Sequence, residues 1–188
     1  MICAALGMIV AGMLALSASA VAGVPEPRDY RLDDYRAPVP ATIAGGRVVH
    51  TKALRALLAH GSVLLIDVLP APRRPHGMRP DQPWMPVPRR DISGSLWLPD
   101  VGRGALAPES DKWFQDQLAR ATAEDKGHPM VFYCLSRCWM SWNAAKRAIG
   151  YGYRRVFWYP DGSDGWDKAG LPLAVAQPEP RPEEPDWK

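Results

Sequence analysis

Cysteine is scarce in this chain of 188 residues: there are three, and only Cys134 and Cys138 lie beyond the first 23 positions. So few exclude a disulfide-rich scaffold and a four-cysteine zinc ribbon. An excess of one charge is missing too. The 23 Lys and Arg nearly balance the 20 Asp and Glu, and the net +3 is too weak to point to nucleic acid. With 47% hydrophobic and 23% charged residues, the chain does not have the composition of a disordered one. Its length suits one domain with a sizeable core, and no internal repeat is visible. What is abundant is proline (20) together with tryptophan (8).

Residues 1–23 carry no charge and end in small residues, and both Ala18-Ser19-Ala20 and Ala20-Val21-Ala22 fit a cleavage pattern. They read as a cleaved signal peptide, the competing reading being an uncleaved anchor. Export predicts a periplasmic location, an oxidising setting for a cysteine pair. Residues 24–47 form an N-terminal extension.

From there apolar runs of strand length alternate with periodic segments of helix length. Thr51 is expected to cap a helix carrying Leu54, Leu57 and Leu58 and closed by Gly61. Residues 63–68, 94–99, 130–133 and 156–159 read as strands, the first as a continuous buried run. Residues 109–122 and 139–149 read as helices, and 164–169 as a closing turn. The alternation predicts an α/β fold with a mainly parallel sheet.

Residues 69–91 interrupt this order with seven Pro and five Arg: Arg73, Arg74, Arg79, Arg89 and Arg90. Proline excludes regular ladders there, so an extended loop is expected, with the arginines forming a basic rim that steers anions or an acidic partner. Residues 175–188 read as a mobile Pro/Glu tail.

The chemistry centres on Cys134-Leu135-Ser136-Arg137-Cys138-Trp139-Met140-Ser141. A cysteine at the C-terminal end of a central parallel strand sits where open α/β sheets bind ligands, with the following amides turned toward it. Cys134 is the expected nucleophile or persulfide carrier. Arg137 adds charge to stabilise a thiolate or a bound anion, and Cys138 is a possible resolving cysteine. Leu135, Ser136, Trp139, Met140 and Ser141, with Arg73 and Arg74, are the expected substrate-binding residues. Trp139 and Trp142 lie three apart, and both are not expected to be buried beside an open cysteine loop. Asp67 is read as a loop-fixing acceptor and Trp166 as structural. A Cys-x3-Cys pair near Met140 is also a conceivable Cu(I) holder, but no His lies in the loop, and no resident metal or cofactor is predicted. Trp139 stands where covalent haem attachment needs His.

The order of these motifs resembles a rhodanese-like domain over residues 48–174. It runs from the strand ending in Asp67, through Asp91-Ile92-Ser93-Gly94-Ser95 and Tyr133-Cys134, to Gly152-Tyr153 and Asp161-Gly162-Ser163-Asp164-Gly165-Trp166 with Ala169-Gly170-Leu171-Pro172. The resemblance implies a three-layer fold and a sulfurtransferase-type Cys134 that accepts sulfane sulfur as a persulfide and passes it on. Asp91 stands where the family pattern has His, the cysteine loop is longer, and residues 69–91 are an insertion. Met140 occupies the place of the anion-clamping Arg of the related phosphatases, which argues against phosphoryl transfer. The run Cys-x3-Cys-Trp is similar to exported Cys-Trp-motif (CxxxCW) proteins associated with pyrroloquinoline-quinone (PQQ)-dependent alcohol catabolism. That second resemblance implies redox-active thiols supporting quinoprotein alcohol oxidation, with a sulfur-donor anion or thiol as small partner. The alternative is an accessory module docking a quinoprotein dehydrogenase or cytochrome c.

Overall fold

The computed structural model describes residues 24–181. The segment read as a signal peptide and the last seven residues lie outside the described residues. The elements run β1 (Arg47–Val48), α1 (Thr51–His60), β2 (Leu64–Asp67), β3 (Arg90–Ile92), β4 (Leu96–Trp97), α2 (Pro108–Thr122), β5 (Met130–Tyr133), α3 (Trp139–Gly150), β6 (Val156–Trp158), α4 (Gly162–Lys168) and β7 (Leu173–Val175). Five strands form a parallel sheet in the order β1-β6-β5-β2-β4. β3 and β7 form a separate antiparallel pair.

The period-two geometry of strands sorts the apolar side chains into two cores. Met130, Phe132 and Cys134 face one side, where they meet Phe114 and Leu118 of α2 and Trp142, Ala145 and Ala148 of α3. Val131 and Tyr133 face the other, against Leu54 of α1 and Trp166 of α4. The result is the expected three-layer α/β domain, and β5 at its centre is buried at every position. The alternation that makes β5 a strand also decides that Cys134 points toward α3.

Several local expectations are corrected. Thr51 is not a cap: His50 precedes the helix, and the Thr51 hydroxyl instead donates to the Asp161 carboxylate at 3.0 Å. The short strands β1, β3 and β7 carry too few residues for a periodic signal and exist through their pairing. Trp139 and Trp142 are both buried, ring to ring at 5.4 Å, because the N-terminal extension lies over them. The Trp139 indole donates to the Pro38 carbonyl at 3.0 Å and that of Trp142 to Thr42 at 3.1 Å. Asn143 grips the same strap, accepting from the Arg31 amide at 2.9 Å and donating to its carbonyl at 2.8 Å. The described part of the tail is likewise fastened, with Glu179 bonding the β4 backbone and Arg181 pairing with Asp100 at 2.8 Å.

The arginines of the insertion bond back onto the protein, with Arg73, Arg74, Arg79 and Arg90 still exposed. Arg73 reaches Asp100 at 3.4 Å, Arg79 pairs with Asp81 at 2.6 Å, and Arg90 donates to the Leu173 carbonyl at 3.1 Å. Arg74 folds back on its own loop, donating to the carbonyls of Arg79, Pro80 and Gln82. Arg89 is drawn inside, onto Asp67 at 2.7 Å. A proline-rich segment lacks internal ladders to satisfy its carbonyls, and these guanidinium groups take over part of that role.

Candidate active site

β5 delivers Cys134 to the C-terminal edge of the sheet, and the chain crosses Leu135, Ser136 and Arg137 before α3 begins. Arg137 adopts a left-handed φ of 51° with its amide on the Pro160 carbonyl at 3.0 Å. This turn lets the chain reverse in three residues and brings Cys138 back to the α3 N-terminus as its cap residue. Both cysteines are free and buried, Cys134 at 0% and Cys138 at 3% exposure.

The loop is held from outside at several residues. The Cys134 carbonyl accepts from the Ser163 amide at 2.9 Å, and Ser136 places its amide and hydroxyl on the Asp164 carboxylate at 2.5 and 2.7 Å. The Trp139 amide donates to the Tyr35 carbonyl of the strap at 2.9 Å. The Ser141 hydroxyl donates to the Cys138 carbonyl at 2.9 Å and accepts from the Trp158 indole at 3.0 Å. Met140 is buried against Gly102, where a Cβ would lie 2.2 Å from the Met140 carbonyl oxygen.

The two thiols are buried in one core cluster and act on one another's charge. Burial pushes Cys134 well above the ordinary thiol value, helped by its bond to Cys138, the charge of Cys138 and that of Asp67. Cys138 is lowered to about 7 by the hydrogen bond from Cys134, against the opposing effect of burial. The Met140 amide, the Arg36 guanidinium and the Ser141 amide add to the lowering.

Of the sequence-predicted site residues, the structure gathers Cys134, Cys138, Met140 and Ser141 around the sulfurs. Leu135 and Ser136 are half-buried loop residues, and Trp139 is a packing residue under the strap. Arg137 points elsewhere: with Ser136, His50, Pro160 and Asp161 it lines a cleft of about 320 Å³. The cation acting on Cys138 is Arg36. Arg73 and Arg74 belong to the insertion's own bonding, not to the thiols. Sequence reasoning missed Arg36, Arg89, Ser163 and Asp164. The last two lie inside the Gly162–Gly165 motif and were legible there as loop partners; Arg36 left no signal.

Behind the cysteines runs a buried polar chain: Asp67 to Arg89 at 2.7 Å, Arg89 to the Ser163 hydroxyl at 2.9 Å, and Ser163 to the Cys134 carbonyl. Asp67 thus does fix a loop, also accepting from the Leu69 amide at 2.9 Å, and burial holds its carboxyl above the usual range despite Arg89. Asp91, in the family's histidine position, is raised to about 6 by burial and by the charge of Asp67. The folded state therefore binds a proton that the unfolded chain releases, and stability falls as pH rises from about 4 through about 6. Asp91→Asn is expected to leave stability unchanged near pH 4 and to raise it by about 1–3 kcal/mol at pH 7.5. Urea unfolding at the two pH values checks this; equal gains at both would contradict it.

Among the described residues no group of three or more His, Cys, Asp and Glu is arranged to hold a metal ion. No helix among them is long and apolar enough to cross a membrane.

Comparison with known proteins places residues 50–169 on the family model described as a rhodanese-like domain. No curated protein sequence matches the chain. Among solved structures, it is similar to a thiosulfate sulfurtransferase from Pseudomonas aeruginosa, at 17% identity and TM-score 0.49, over 74% of this chain and 22% of that one. It is also similar to the polysulfide-sulfur transferase homodimer from Wolinella succinogenes, at 19% identity and TM-score 0.43, over 70% and 80%. A Saccharomyces cerevisiae protein of unstated activity matches at 20% identity and TM-score 0.40, over 66% and 92%.

Proposed function

This chain belongs to the rhodanese-like domain family, and from that premise we propose that it carries out sulfane-sulfur transfer or dithiol/disulfide exchange at Cys134 and Cys138. The observation that carries the reading is the pair itself. Two free, buried thiols in one core cluster, one of them at a helix N-terminus, stand at the C-terminal edge of the parallel sheet. A lone buried cysteine is a small hydrophobe. A lowered thiol beside a second thiol has what thiol exchange requires, an attacking thiolate and a resolving partner.

The substrate is a small sulfur-donor anion or thiol. Export to the periplasm and service to PQQ-dependent alcohol oxidation complete the proposal, supported by the uncharged first 23 residues and the Cys-x3-Cys-Trp run. The test is a mass spectrum of the full chain after incubation with thiosulfate or inorganic polysulfide. Gain of one sulfur atom, or loss of two hydrogens as a disulfide forms, is the expected result; an unchanged mass with both donors overturns the reading.

One observation favours a second reading, an accessory module that docks a quinoprotein dehydrogenase or cytochrome c. Met85 and Val87 near the end of the insertion are 90% and 86% exposed. Apolar side chains on a proline-stiffened segment lose little entropy on docking. If this reading holds, Met85→Asp with Val87→Asp abolishes partner binding while Cys134→Ser does not.

A further inference from the structure

We infer that the edge of the sheet opposite the cysteine loop carries a second binding site, a groove that takes a small organic acid with an apolar body and a carboxylate head. The site is independent of whether the cysteines handle sulfur.

The groove has a volume of about 700 Å³. Small-molecule sites occupy roughly 300–1,000 Å³. It lies between α1 and the edge of the sheet where β1 pairs with β6. The helix explains the gap. α1 turns Leu54 to the core, whereas Ala53, Ala56, Leu57 and His60, at the spacing i, i+3, i+4 and i+7, form one wall of the groove. The two alanines are too short to close the distance to the sheet. β1 is the edge strand, with no strand beyond it among the described residues. Val49 and Phe157, buried members of the core under α1, give the groove an apolar floor.

The rim is basic. Arg47, His60, His128 and Arg155 reach it from four separate segments, and no Asp or Glu among the described residues lines it. The whole chain has 23 Lys and Arg against 20 Asp and Glu, and four His, so the groove departs sharply from the average charge. None of these four side chains makes a hydrogen bond or an ion pair with another described residue. The carboxylate of Asp125, in the loop that delivers His128, is turned back onto the Gly127 amide at 2.7 Å. A smaller hollow of about 290 Å³ continues the groove past Arg47 and Arg155 and adds Arg154 to its rim.

Arg47 is the register partner of Phe157, and Arg155 precedes Phe157 by two residues. Strand alternation therefore puts both arginines on the groove face, as diagonal neighbours about 7–8 Å apart at their Cα atoms. Two guanidinium groups so placed repel until an anion lies between them, and a carboxylate matches the fork of each. The imidazoles of His60 and His128 add N–H donors at the rim. Floor and rim together fix the ligand class. An inorganic anion would leave the apolar floor in water, and a neutral apolar molecule would leave the arginines without a counter-charge.

The experiment titrates the full chain with naphthoate and with naphthamide, which has nearly the same shape and no charge, and follows backbone amide shifts by NMR. Naphthoate is expected to bind saturably and to move the amides of Ala56, His60 and Phe157, and naphthamide to bind at least about ten-fold more weakly. Arg47→Gln with Arg155→Gln is expected to weaken naphthoate by about ten-fold or more while leaving naphthamide unchanged. Lys112→Gln with Lys168→Gln removes the same charge elsewhere and is expected to change neither. Ala56→Phe fills the groove and is expected to abolish binding of both compounds. Near-ultraviolet circular dichroism of the tryptophans reports that each variant is folded. Equal affinity for acid and amide, an unchanged affinity in the arginine double variant, shifts confined to the cysteine loop, or no saturation by naphthoate would each overturn the site.

Discussion

Arg89→Met is expected to destabilise the protein by about 3–5 kcal/mol at pH 7.5, because it leaves a buried carboxylate without its counter-charge. Asp67 is completely buried and the Arg89 side chain is 9% exposed, so water cannot take over the lost contact. Replacing both partners removes the uncompensated charge, so Asp67→Asn with Arg89→Met is expected to recover much of the loss. The pH dependence gives a second check. Burial already raises the Asp67 carboxyl, and without the guanidinium it rises further. A carboxyl raised in the folded state favours folding as pH falls, so the deficit of Arg89→Met shrinks from pH 8 to pH 5. Urea unfolding measures both effects; a deficit that grows toward pH 5 would contradict the account. Because Arg89 also holds Ser163, and Ser163 holds the Cys134 carbonyl, slower sulfur uptake is expected to accompany the lost stability.

Gly162→Ala carries the second large effect, and it acts on the cysteine loop directly. Gly162 has φ +66°, and a Cβ there would stand 2.2 Å from the Leu135 carbonyl carbon and 2.4 Å from the Ser136 amide nitrogen. Neither atom moves freely, since Ser136 is tied to Asp164 and the Cys134 carbonyl to Ser163. Left-handed strain and the backbone clash together are expected to cost about 2–4 kcal/mol. Displacing the cysteines relative to one another is expected to slow sulfur uptake by roughly 10–100-fold. Gly170→Ala separates the two causes. Its φ is +72° but nothing lies within 4 Å of its Cβ position, so only the strain of about 1–2 kcal/mol is expected, with sulfur uptake unchanged. Equal losses of uptake in both variants would remove the clash with the loop as the explanation.

These two effects lie on contacts that the order of residues conceals. Asp67 and Ser163 are recognisable in their own motifs, but nothing along the chain says that Arg89 joins them. The five arginines of the insertion illustrate why. A run of charges separated by prolines looks the same whether it faces solvent or folds onto carbonyls and carboxylates, and here each guanidinium has found a partner. The tryptophans teach the same lesson in reverse. A helix beginning at an open loop should expose one of Trp139 and Trp142, but the strap of residues 24–46 supplies a second wall that no helical periodicity could announce.

By itself the sequence determined a mainly parallel α/β architecture and the place of the cysteine loop. Strand alternation and helical spacing are local, and they repeat over enough residues to be read from the chain. It also determined that two thiols sit four positions apart at the strand–helix junction. How the surroundings of the two thiols differ was decided only by tertiary structure. Adjacency suggested Arg137 as the stabilising cation, but the left-handed turn that shortens the loop carries that side chain into the neighbouring cleft. Charge on sulfur depends on burial, on amide direction and on a cation brought in by the N-terminal strap. Each of these is a distance in space between segments far apart in sequence.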